Sequence, residues 1–593
     1  MPKERTWNLE AIFATDEEWE KEFQEIKELI PQLAQFKGKL GESAKTLYDA
    51  LQMQDHIYFR LGKLYAYAHM RYDQDTTNSF YQDLNDRAQM LVANVSEAAS
   101  FITPEILSVP EETIASFLRE HDGLKLYEHA LDALNKQRPH VLSEAEEAIL
   151  AQASEILRAP SQTFGSLNNA DLKFPLIIDE DGNEVEVTHG RYIRFLESTD
   201  RRVRKDAFHA VYSTYEKFKN TFASTLSSQV KKDNFIAKVR KYQSAREAAL
   251  SRNYIPEKVY DQLIETINGH LSLLHRYVRL RKKALGLEEL HMYDLYTPLV
   301  KDVKMKVTYE EAQEIVLKAL APLGEEYVNT IREGYKNRWI DVEENVGKRS
   351  GAYSSGAYGT MPYILLNWQD DVNNLFTLAH ELGHSMHSYY TRKYQPYPYG
   401  DYTIFVAEVA STLNEALLND YLIKTTEDKK KKLYLLNHFL EGFRGTVFRQ
   451  TMFAEFEQLI HEKAQRGEAL TAESLTNMYY DLNVKYFGSD IHIDKEIGLE
   501  WARIPHFYYN FYVYQYATGY SAATALAKQI KEEGKPAVKR YIDFLKAGSS
   551  DYPIEVLKKA GVDMTSAEPI KEACQVFEQT LIEMEQLIEE IKK

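Results

Sequence analysis

Apolar positions recur three and four residues apart along most of this chain, the period of a helix with one buried face. The first run sets Trp19, Phe23, Ile26 and Ile30 on one side. Thr15 and Glu18 are spaced as a capping box ahead of it, and Pro31 is placed to stop it. Another long helix is predicted over residues 78–102, and Ser143 with Glu146 forms a second capping box before EAILAQAS. The period changes at FPLIIDEDGNEVEVTHG (174–190), where two short β-prone runs flank Asp181-Gly182, a hairpin signal. Helical spacing then resumes until a second β-prone stretch at 339–368, and returns after Gly400. The change of texture sets a domain boundary near residue 190, giving an N-terminal helical domain (1–190) and a second domain (191–593). The run EDKKKK (427–432) reads as a solvated loop or a helix start.

Length and charge narrow the picture. A chain of 593 residues exceeds one compact core, so two or more lobes are expected. A formal net charge of −17 repels phosphate backbones and argues against a nucleic-acid partner. No apolar run is long enough to span a membrane. The opening MPKERTWNLE lacks the apolar core of a signal peptide. The single cysteine, Cys574, rules out an intrachain disulfide. Together these point to the cytoplasm. Oligomeric state is left open.

The stretch LAHELGHSMHSYY (378–390) carries the chemistry. On a helix, His380 and His384 lie one turn apart on one face and present two imidazoles to a common point, as a zinc ion requires. Glu381 projects about 100° around the helix, beside the metal but off the ligand axis, where a base for water activation sits. His387 lies about 10.5 Å along the axis from His380, too far to share a metal, so it reads as a support to the site or as a core residue. Two histidines leave a catalytic zinc one protein ligand short. In DYTIFVAEVASTLNEALLND (401–420), Phe405, Val406, Val409, Leu413 and Leu417 mark a buried helix. Glu408, Ser411, Thr412 and Glu415 form a polar stripe along it. A carboxylate there is costly unless paired or metal-bound. Glu408 is assigned as the third ligand, and Glu415, two turns on, as the carboxylate that orients a ligand histidine.

Two aromatic and glycine-rich stretches flank this core: KRSGAYSSGAYGTMPYILLNW before it and RIPHFYYNFYVYQYATGY after it. On a helix begun by Pro505, His506, Tyr509, Tyr512, Tyr516 and Tyr520 fall within an arc of about 120°. Such a stripe fits either a core face or a row of donors to an oxyanion. The glycines before the second strand fit either a plain loop or an edge that admits a peptide backbone.

HELGHSMHS followed by FVAEVASTLNE, with both flanking stretches, resembles the thimet-oligopeptidase-like zinc metallopeptidases, in particular the oligoendopeptidase F branch. The likeness is fullest over residues 190 to 580. It implies a mainly α-helical, two-lobed fold with a small β-sheet beside the HExxH helix and a deep substrate channel. It also implies one zinc ion per chain held by His380, His384 and Glu408, with Glu381 as base. His506, Tyr512 and Tyr509 would stabilise the oxyanion, and Gly351, Ala352 and Tyr353 would touch the substrate. The expected function is hydrolysis of internal peptide bonds in oligopeptides. The rival readings are a zinc exopeptidase of similar fold and a non-enzymatic zinc-containing peptide-binding protein. An intact Glu381 speaks against the latter, since a structural site needs no base.

Overall fold

The structure is a computed structural model that describes residues 3–300, 303 and 305–592. It is mainly helical, with a two-stranded hairpin and one three-stranded sheet among the described residues. Two compact units each gather three chain segments. The first comprises Met1–Pro139, Met305–Leu418 and Gln529–Gly561. The second comprises His140–Lys304, Asn419–Lys528 and Val562–Lys593. They interleave along the chain, where the sequence reading made a single cut near residue 190, because helices far apart in sequence share one core. The helix Lys535–Ala547, for instance, packs against Val372–Tyr394 in the first unit.

In the first unit the helices Asp16–Ala34, Ala44–Gln74 and Ser79–Ala99 enclose Trp19, Ile26, Leu61, Leu64 and Leu91. The N-terminal segment is stitched to the sheet by Trp7, whose indole N–H donates to the Ile364 carbonyl at 2.8 Å. That sheet has the order β3 (Ile340–Asp341), β5 (Tyr363–Leu365), β4 (Tyr353–Ser355). β5 runs parallel to β3 and antiparallel to β4, with Tyr353 opposite Leu365. β4 is therefore an edge. Ser354 Oγ and Ser385 Oγ lie 2.8 Å apart, which pins that edge against the helix Val372–Tyr394.

The second unit is built on the long helix Arg201–Val239, packed with Arg449–Gln465 and with the 3-10 segment Lys495–Arg503. Its buried Glu500 is held by Arg449 and Arg503. The hairpin forms as its turn residues dictate: β1 (Leu176–Ile178) pairs with β2 (Glu184–Glu186), and Gly182 takes the left-handed φ of 85° that the turn requires.

Ser143 and Glu146 make the full capping box. At the first helix Thr15 caps Glu18 N–H, but the Glu18 carboxylate reaches Ala14 N–H instead of closing the box. Pro31 does not end that helix, which runs to Ala34. Its ring sits on the exposed face of the last turn, where one lost backbone bond is tolerated. The helix predicted to 102 stops at Ala99. Asp428 caps a helix starting at Lys429, so the lysine run is a helix start.

Candidate metal centre and active site

Val372–Tyr394 is one continuous helix, opened by Asp371, whose carboxylate accepts the Asn374 N–H. It is buried on most sides through Leu375, Leu378, Ala379, Leu382 and Met386. The helix Ile404–Thr425 crosses it at Gly383. A Cβ at Gly383 would stand 2.5 Å from Ser411 Cα and 2.6 Å from Ala410 O, so only glycine permits this approach. Asn414 secures it: its side-chain amide donates to the Ala379 carbonyl at 3.1 Å and accepts the Tyr327 hydroxyl at 3.0 Å. Ser411 Oγ donates to Glu408. Gly383 and Asn414 were not singled out from the sequence, although the glycine inside HELGH, flanked by the ligands, was a signal that nothing bulkier fits there.

The approach brings three lone-pair atoms into a triangle. His380 Nε2 and His384 Nε2 are 3.2 Å apart, and Glu408 Oε2 is 3.4 Å and 3.5 Å from them. Ligands about 2.0–2.1 Å from a tetrahedral zinc are separated by about 3.3–3.4 Å, so this triangle has the size of a zinc face. On the far side of His380, Nδ1 meets Glu415 Oε1 at 2.5 Å. That contact fixes the N–H on Nδ1 and turns the Nε2 lone pair into the triangle. Without a cation, Nε2 and the Glu408 carboxylate would oppose each other. Burial disfavours an imidazolium at His380, yet its bonds to Glu408 and Glu415 outweigh this and lift it to about 10. Glu408, despite burial, is held well below the usual carboxylate range by the two histidines. The field at this point favours a positive charge.

Glu381 is buried beside the triangle, and burial raises its pKa against the pull of His380 and His384. A carboxylate more basic than usual suits proton abstraction from water. His387 is not one of the three donors of the triangle. It is buried in the core, stacked on Tyr402 at 3.6 Å and near Phe544 at 5.1 Å, and burial lowers it to about 3.

Of the expected substrate residues, Gly351 and Ala352 lead into the β4 edge. The Gly351 carbonyl accepts the Asn367 amide at 2.8 Å. The Tyr353 phenol points into the helical core and donates to Asp73 at 2.7 Å.

The segment 505–520, in the second unit, is not the single helix the spacing predicted. Pro505–Tyr508 is a 3-10 turn, Asn510 and Phe511 adopt left-handed φ values of 48° and 56°, and the helix begins only at Tyr514. The rings of His506, Tyr509, Tyr512 and Tyr516 cluster nonetheless. Centroids lie 5.4 Å apart for His506–Tyr509, 6.3 Å for His506–Tyr512 and 5.4 Å for Tyr512–Tyr516. Tyr520 packs on Phe443. Tyr516 Oη meets His506 Nε2 at 3.2 Å, and burial lowers the His506 pKa. No sequence pattern announced the left-handed pair, because tertiary contacts hold it: the buried Glu457 carboxylate accepts the Phe511 N–H at 2.6 Å.

Among the described residues no helix is long and apolar enough to cross a membrane. Residues 194–576 match peptidase family M3, and residues 105–174 match the family described as Oligopeptidase F. The chain is 68% identical to oligopeptidase PepF of Bacillus subtilis, over all of this chain and 88% of that protein. It is 50% identical to group B oligopeptidase PepB of Streptococcus agalactiae, over 98% and 97% of the two. The crystal structure of oligoendopeptidase-F from Enterococcus faecium superposes with a TM-score of 0.75 at 46% identity, over 97% of this chain and 99% of that one. A crystal structure described as that of a Chlamydophila abortus peptidase does so with a TM-score of 0.95 at 37% identity, over 99% of each. The chain therefore belongs to peptidase family M3, in its oligoendopeptidase F branch, and is a metallo-oligopeptidase.

Proposed function

We propose that the chain is a zinc-dependent endopeptidase that hydrolyses internal bonds of short oligopeptides, with one catalytic zinc ion held by His380, His384 and Glu408. The observation that carries this is the triangle of Nε2, Nε2 and Oε2 with sides of 3.2–3.5 Å, backed by Glu415 on His380. When bound, zinc supplies a Lewis acid that polarises the scissile carbonyl and makes water more acidic. Glu381 takes the proton of the attacking water and delivers it to the leaving amine. The edge strand β4, entered through Gly351 and Ala352, pairs with the substrate backbone. Tyr353 contributes its main chain there, since its phenol is committed to Asp73. His506 and Tyr512, with Tyr509 beside them, donate to the oxyanion. This assignment is supported by the family resemblance and by the clustering of their rings.

The test is digestion of peptides blocked at both ends, in a series of graded length, with elemental analysis of the same protein. Internal cuts in short members, lost on chelation while helical content stays, are expected. Glu381→Gln should keep its zinc and lose nearly all turnover, whereas Glu408→Ala should lose zinc. Activity only on unblocked ends would favour an exopeptidase, and full activity in chelator would remove the metal from the reaction.

A further inference from the structure

A second group of metal-type donors lies in the second unit, on segments that the catalytic reading does not use. His291, His492 and Asp494 each offer one ligand atom, all within 4.8 Å of one another. The two segments are joined at the backbone: His291 and His492 form an isolated parallel bridge, and His492 N–H donates to the Leu290 carbonyl at 2.7 Å. The rings of His291 and His492 lie 4.7 Å apart. Glu289 adds a carboxylate, with Oε2 3.2 Å from His291 Nε2 and Oε1 3.7 Å from His492 Nδ1.

The arrangement repeats the logic of the catalytic triangle. Asp494 is buried and anchored, since Oδ2 accepts the Met292 N–H at 2.9 Å. Its Oδ1 meets His291 Nδ1 at 2.8 Å, as Glu415 meets Nδ1 of His380. The proton is thereby fixed on Nδ1, and the lone pair of His291 Nε2 faces the Glu289 carboxylate. That 3.2 Å contact is held either by a second proton on the ring or by a metal ion. Among the described residues no lysine or arginine forms an ion pair with Glu289 or Asp494. Arg201, the cation whose charge acts on Glu289, is committed to Asp294 and to the Glu289 carbonyl.

We propose that it is a second zinc site, with His291 Nε2, the His492 imidazole and the Glu289 carboxylate as ligands and Asp494 orienting His291. Two imidazoles and one carboxylate suit zinc better than calcium or magnesium, which take oxygen. The His492 and Glu289 side chains are half-exposed or more, so they must be drawn in on binding. The site is therefore weaker than the catalytic one and fills only at higher free zinc. Its effect is structural: it clasps residues 289–294 to residues 490–494, directly ahead of the 3-10 segment Lys495–Arg503.

The test is zinc uptake by the full-length chain in zinc-buffered solution, followed by elemental analysis and thermal melting. The wild type is expected to hold one equivalent at low free zinc and two at high free zinc, with a rise in Tm at the second step. His492→Ala, a change at an exposed side chain, should lose only the weaker equivalent and its Tm rise, and keep peptidase activity. His384→Ala should lose only the tighter one. Asp494→Asn, which keeps the shape, should weaken the second step at least tenfold, the scale expected for losing such an orienting carboxylate. A wild type that stops at one equivalent, or a His492→Ala variant that still takes up two, would overturn the proposal. Loss of the tight equivalent in His492→Ala would do the same.

Discussion

Among the crowded tyrosines of residues 508–520, the hydroxyls of Tyr509 and Tyr512 have no hydrogen-bond partner among the described residues. Tyr508 is bonded to Thr225 and Tyr516 to His506. Tyr509 is 55% exposed, whereas Tyr512 is sheltered among the rings of His506, Tyr509 and Tyr516. A sheltered phenol with an uncommitted O–H is a donor in waiting. If it serves the oxyanion, it gains its acceptor only when the planar carbonyl becomes tetrahedral, so its loss should appear in kcat rather than KM. Tyr512→Phe is expected to lower kcat by about 10²–10³ with zinc content and folding intact. Steady-state kinetics on the zinc-loaded variant decides the matter. A kcat within about threefold of the parent, small beside that loss, would return Tyr512 to the core.

At the scale of the element, the candidate metal site is made by how closely two helices approach. Gly383 is the contact point, and Gly383→Ala would push Ser411 and Ala410 away by an ångström or so, because the neighbours are backbone atoms that cannot rotate aside. Glu408 and Asn414 ride on the same helix, so the triangle should open. The expected result is weaker zinc binding together with a loss of stability of about 1–3 kcal/mol, the usual range for overpacking. Equilibrium dialysis against a zinc buffer and urea melts measure both; unchanged zinc affinity would show that the helices adjust without moving the ligands. The three donor residues of the candidate site were legible in the sequence because a helix fixes the direction of residues four apart, and because a polar stripe on an apolar helix needs a reason. The shape of residues 505–514 was not. Helical spacing held for the aromatic residues, yet the backbone leaves the helix at Asn510 and Phe511, stabilised by Glu457 from a distant part of the chain. The direction of the Tyr353 phenol was hidden for a similar reason: its partner, Asp73, lies far away in sequence. The interleaving of the two units escaped a reading along the chain because it depends on which distant helices share a core.

For the whole molecule, buried titratable groups outside the triangle set opposite limits on stability. In the first unit His387 is lowered by burial, and also by His384, to about 3. An unfolded histidine takes a proton near its ordinary value, so this contribution is present above about 6.5 and is lost as pH falls toward 3. In the second unit Glu457 is raised by burial to about 8, against the pull of His461 and the Phe511 N–H and with the help of Asp233. Its Oε2 has no hydrogen-bond partner, which makes ionisation costly. The folded chain therefore holds a proton on Glu457 that the unfolded chain releases near its usual carboxylate value. This contribution is full below about 4.5 and is lost as pH rises through about 8. His461, raised by Asp233 and Glu457 against its burial, works in the same direction. The melting temperature should accordingly peak in mildly acidic to neutral solution and fall on both sides. Each pKa unit corresponds to about 1.4 kcal/mol as an upper scale. Glu457→Gln keeps a carbonyl oxygen for the Phe511 N–H and removes the ionisation, so its Tm should decline less than that of the wild type between about pH 6 and pH 9 while the acid limb is unchanged. Thermal melts across that range compare the two proteins directly, and parallel alkaline limbs would show that Glu457 is not the group that titrates.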